Sequence, residues 1–74
     1  METILEILNE IHPDIDFESH NSLIDDGVLD SFDIIAIIAD ISDRFGITVT
    51  ANEIIPENFN SARALYDLVE RLLD

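Results

Sequence analysis

The chain has 74 residues, 47% hydrophobic and 27% charged, with 17 Asp and Glu against three basic residues and a formal charge of -14. That length allows a single domain, residues 1–74, with one core. The acidity repels nucleic acid and anionic lipid and favours protein partners with basic surfaces.

The chain has no cysteine, which rules out disulfides and thiolate–metal sites. The opening METILEILNE has no basic segment ahead of an apolar one, so no signal peptide is expected. Apolar runs fall short of the roughly 20 residues of a membrane span, so no membrane insertion is expected. A cytoplasmic monomer is the expectation.

A first helix is predicted over Glu2 to Ile11, with Ile4, Leu5, Leu8 and Ile11 on one face. Pro13 stops it. His12 to Leu29 then reads as a long loop, rich in turn formers such as Asp14, Ser19, Asn21 and Gly27. It also carries Ile15, Phe17, Leu23, Ile24, Val28 and Leu29, so it is expected to pack across the helices.

The second helix is predicted from Ser31 to Phe45, with Ile34, Ile37, Ile38, Ile41 and Phe45 facing inward. Asp33, Asp40, Asp43 and Arg44 fall on the opposite side. Asp30 is its N-cap and Gly46 its C-terminal cap. Thr50 and Glu53 fit a capping box over a short turn, Ala51 to Ile54, that Pro56 ends. A further turn is expected near Glu57 to Phe59. Ser61 caps a last helix, Ala62 to Leu73, with Leu65, Leu68, Val69 and Leu72 inside. The fold class is therefore all-α: a small antiparallel bundle of three main helices plus one short helix, with a long loop between helices 1 and 2.

The most informative stretch is DDGVLDSFDII, Asp25 to Ile35. It places Ser31 where a helix leaves backbone N–H groups unpaired and its positive dipole end exposed. A phosphate attached there is electrostatically favoured. On the same flank Ile35, Ala39 and Ser42 offer small or apolar surface for a docking partner. The plainer alternative is that Asp30-Ser31 merely starts a helix.

Other chemistries fit less well. Serine hydrolysis needs a base, and only His12 and His20 exist, with no G-x-S-x-G turn. An EF-hand register placing Gly27 sixth puts Ile24 at a ligand position, which defeats the motif, and no metal site is assigned. A non-catalytic protein is expected.

The block LDSFDIIAIIADISDRFGI strongly resembles the acyl carrier protein family. Gly27, Leu29, Asp30 and Ser31 fall on that family's pattern, and the order of elements matches over the whole chain. The resemblance implies that Ser31 is the attachment point for 4′-phosphopantetheine, donated covalently from coenzyme A, and that Asp30 positions it. It implies as partners a phosphopantetheinyl transferase, an acyl- or aminoacyl-loading ligase, and acyl transferases with basic docking surfaces. Docking is expected along Phe32, Asp33, Ile35, Ala39, Asp40 and Asp43. The function implied is carriage of acyl or aminoacyl thioesters, as in fatty-acid or polyketide synthesis.

Phe32 stands where leucine is usual, and Phe-Gly-Ile-Thr-Val follows the helix. Both features look like the D-alanyl carrier proteins of teichoic-acid modification. Ala36 and Ser42 stand where many fatty-acid carriers hold glutamates. An acidic adaptor that never receives the arm is the competing class. Any cargo cavity is expected among Ile38, Ile41, Ile54, Leu65 and Val69.

Overall fold

The computed structural model describes residues 1–73. Its helices are α1 (Glu2–Ile11), α2 (Ser31–Phe45), α3 (Pro56–Phe59) and α4 (Ala62–Leu73), with a 3-10 turn at Ala51–Glu53. The three long helices pack around one another, and short α3 rests on α4. The all-helical class, the three-plus-one arrangement and the long gap after α1 are as the sequence predicts.

Helix α1 buries Ile4, Ile7 and Leu8, with Leu5 and Ile11 at the margin. Ile7 widens the expected stripe. It stands three residues after Ile4, and α1 packs against both α2 and α4, so this position is wholly enclosed. Helix α2 turns Ile37 and Ile41 inward, and Ile34, Ile38 and Phe45 flank them. It ends on Gly46 at φ 65°, in the left-handed region. Helix α4 contributes Ala62, Leu65, Leu68 and Val69 to the core. Each buried branched side chain is worth about 1.5–3 kcal/mol relative to exposure.

The loop is part of the core. Phe17, Leu23 and Leu29 are buried with the helices. Leu23 is a pivot: its N–H donates to the Asn60 carbonyl at 2.8 Å, and its own carbonyl accepts from Val28 and Leu29 at 2.9 and 3.0 Å. The Asn60 side-chain oxygen accepts from the N–H groups of Ile24 and Asp25 at 2.9 and 3.2 Å. Gly27, at φ 74°, completes the tight turn that leads into Asp30. The chain between α1 and α2 is thus stapled to the junction of α3 and α4.

Two local expectations are corrected. Thr50 makes no side-chain cap: the 3-10 turn closes through its carbonyl, which accepts from the Glu53 N–H at 3.0 Å. The Glu53 carboxylate instead lies 3.6 Å from Arg71. Pro56 opens α3 rather than ending the preceding turn, because its missing N–H costs nothing in a first helical turn. Ser61 caps α4 as expected, accepting from the Ala64 N–H at 3.0 Å.

Candidate functional site

The first turn of α2 separates two tasks that the sequence leaves entangled. Capping falls to Asp30, whose carboxylate accepts from the Asp33 N–H at 2.9 Å. Asp33 reciprocates by accepting from the Asp30 N–H at 3.3 Å. The Asp30 carbonyl takes the Ile34 N–H at 3.0 Å. Ser31 is exposed at the first helical position, and its hydroxyl is not the capping group. The amides of Ser31 and Phe32 lie at the end of the helix where no intrahelical partner exists.

Asp33 has a second tie. Its Oδ2 lies 2.8 Å from His12 Nε2, across 21 residues of sequence, and the two side chains retain only 33% (His12) and 20% (Asp33) of their exposure. Burial pushes the Asp33 carboxyl up. The hydrogen bonds from His12 and from the Asp30 backbone, together with charge on His12, outweigh that and hold it below its ordinary value. The other histidine is similarly engaged, with His20 Nε2 at 3.0 Å from Asp26 Oδ2. Both contacts escaped sequence reasoning.

The remaining expected docking residues share α2 with Ser31. Phe32 and Ile35 are 82% and 64% exposed, large values for apolar side chains. Ala39 and Asp43 are exposed and Asp40 is half-buried. Asp33 differs from them in being committed to contacts within the fold.

The residues expected to line a cargo cavity lie at different depths. Ile41, Leu65 and Val69 lie in the packed core, Ile38 lies at its edge, and Ile54 is exposed. A cleft of about 150 Å³ occurs elsewhere, lined by Met1, Leu5, Phe17, Glu18, Asn21, Ala62 and Arg63. Among the described residues no helix is long and apolar enough to cross a membrane.

An exposed hydroxyl at the head of a 15-residue helix, relieved of capping by its neighbour, fits a covalently attached phosphate-linked group. The family model described as "Phosphopantetheine attachment site" matches residues 1–69. A D-alanyl carrier protein of Streptococcus suis (strain 05ZYH33) is 36% identical over 73 residues, covering 97% of this chain and 92% of that protein. A second, from strain 98HAH33, is 34% identical over the same length and shares. No solved structure matches. The chain accordingly belongs to the phosphopantetheine-binding carrier family, whose members carry rather than catalyse.

Proposed function

We propose that Ser31 is the attachment point for phosphopantetheine and that the protein carries a small aminoacyl cargo, with D-alanine as the foremost candidate. The carrying observation is the exposed Ser31 hydroxyl beside an Asp30 that performs the capping. In the transfer, Ser31 Oγ bonds to the pantetheine-bearing phosphorus of coenzyme A as the pyrophosphate bridge breaks. The adenosine bisphosphate leaves, and the hydroxyl proton passes to a base on the transferase. The group, once bound, supplies a flexible thiol that holds cargo as a thioester. Ser31 would fix its origin, Asp30 holds the first turn of α2, and the amides at that helix end would favour the negative charge of a phosphodiester.

One observation supports a small cargo: D-alanyl carrier proteins of Streptococcus suis are the named relatives. Phe32, Ile35 and Ala39, with Asp40 and Asp43, form the docking edge for the transferase, the loading ligase and the accepting transferase. Exposed acids around an apolar ridge steer a basic partner and release it readily.

The test is intact-protein mass after incubation with coenzyme A and a broad-specificity phosphopantetheinyl transferase. The parent gains one phosphopantetheine and Ser31→Ala gains none, with unchanged helical circular dichroism. The modified protein is then offered D-alanine, ATP and a D-alanine-activating ligase, and in parallel a fatty acid with an acyl-activating ligase. Loading by the fatty acid alone refutes the small-cargo assignment. A folded parent without mass gain refutes the attachment itself and leaves an acidic adaptor that uses the exposed Phe32–Ile35 ridge.

A further inference from the structure

Between the end of α1 and the start of α2 lies a long loop, and within the first turn of α2 the side chain that reaches back to α1 is Asp33. Its partner is well anchored. The His12 N–H donates to the Leu8 carbonyl at 2.9 Å, and the His12 carbonyl accepts from the Ile15 N–H at 3.3 Å. Leu8 is itself buried in the core, so the His12 ring projects from a fixed base.

The ring contact falls on a particular oxygen. Asp33 Oδ2 lies 2.8 Å from His12 Nε2 and also accepts the Asp30 N–H at 3.3 Å. A hydrogen bond to a carboxylate requires Nε2 to carry a proton, which fixes the donor and the acceptor. A lone carboxylate on a helix end samples several rotamers and fills its half of a capping box only part of the time. One held by a second donor from the residue that follows another helix does not. Asp30 and Asp33 are the immediate and next-but-one neighbours of Ser31, so the clamp governs how firmly the serine is presented. Helix ends otherwise fray at little cost.

We propose that His12 is a positioning residue for the modification of Ser31: it locks Asp33 into the reciprocal cap with Asp30 and so holds the Ser31 hydroxyl in line for transfer. This rests on Ser31 being the attachment point. The ring touches neither cofactor nor transferase in this role. It acts through Asp33, and a nucleophile displaced by a fraction of an ångström reacts more slowly even when docking is intact.

The experiment compares the parent with His12→Phe, which keeps a ring but removes the donor, and His12→Gln, which restores a donor of similar reach. The initial rate of mass gain with coenzyme A and the transferase is measured over a range of carrier concentrations. Amide hydrogen exchange at Asp30 and Asp33 is followed in the same samples. The expected result for His12→Phe is a kcat lowered about 3- to 10-fold with KM nearly unchanged, a fraction of what one charge-assisted hydrogen bond contributes, because the ring acts through Asp33. Exchange at the two amides accelerates in parallel, and His12→Gln recovers most of both. His12→Asn, too short to reach Asp33, replaces His12→Phe should the latter lose helical signal.

Parental rates and exchange in the donor-less variant overturn the proposal. So does a change confined to KM, which would make the pair a surface charge read by the transferase. A parent that gains no mass overturns the attachment assignment and, with it, this role; the exchange data then report the clamp alone.

Discussion

Helices α2 and α4 both bury a stripe of branched side chains, yet they treat their outer faces differently. Along α4 the outward positions are Arg63, Asp67, Glu70 and Arg71, and the large exposed apolar side chain is Leu73 at the very end. Arg63 and Asp67 pair along that surface at 3.3 Å. Along α2, Phe32 and Ile35 stand in solvent within the first two turns, next to Ser31. Folding alone gives no reason for exposed aromatic and aliphatic side chains there. The contrast separates a helix with a polar outer face from one that leaves an apolar ridge in solvent, the ridge assigned above to docking.

The comparison is sharpest where substitutions on the two helices move different observables. Leu68→Ala empties a fully buried position on α4 and is expected to cost about 2–5 kcal/mol in urea unfolding. That is a large share of the roughly 5–15 kcal/mol typical of a domain. Phe32→Ala is expected to leave stability within about 0.5 kcal/mol while raising the transferase KM about fivefold or more, the scale of an aromatic interface residue. A stability loss at Phe32 comparable to that at Leu68 would erase the distinction between the helices.

Gly46→Ala probes the far end of α2. A methyl group meets nothing within 4 Å, so the cost is purely the left-handed backbone, about 1 kcal/mol in melting experiments. Loading kinetics should not respond, because Gly46 lies at the opposite end of the helix from Ser31.

The smallest effect concerns acid. Asp33 has its folded pKa below the ordinary carboxylate value, so the stability it contributes is fully present above the unfolded value. That contribution is lost as pH falls through the folded one. Urea melts from about pH 6 down to about pH 3, spanning the carboxylate range, should show a shallower acid decline in Asp33→Asn than in the parent. Identical slopes would mean that the His12 and Asp30 contacts do not favour the ionised carboxylate.

The helix bounds were legible because their signals are local: Asp30, Gly46 and Ser61 mark ends, and spacing of Ile and Leu marks faces. The place of Ser31 at a helix start beside a capping acid was legible for the same reason. The His12–Asp33 contact joins residues 21 apart, and the Asn60 bonds to Ile24 and Asp25 join residues 36 and 35 apart. No periodicity encodes such pairings, since they arise only once α1 and α4 have docked. The depth of the expected cavity residues was less legible. Inward-facing angle on a helix does not reveal whether opposing side chains leave space between them, and Ile54, beyond a turn, is 44% exposed.

Asp30 bears the capping of α2 and leaves the neighbouring hydroxyl idle. With Ser31 as the proposed attachment point, folding and covalent maturation become separable events. Under the attachment proposed for Ser31, the hydroxyl to be modified is not one that the helix start draws on for its cap. Stripping the group off again need not loosen the helix, and one polypeptide could pass through repeated cycles of attachment and removal without refolding.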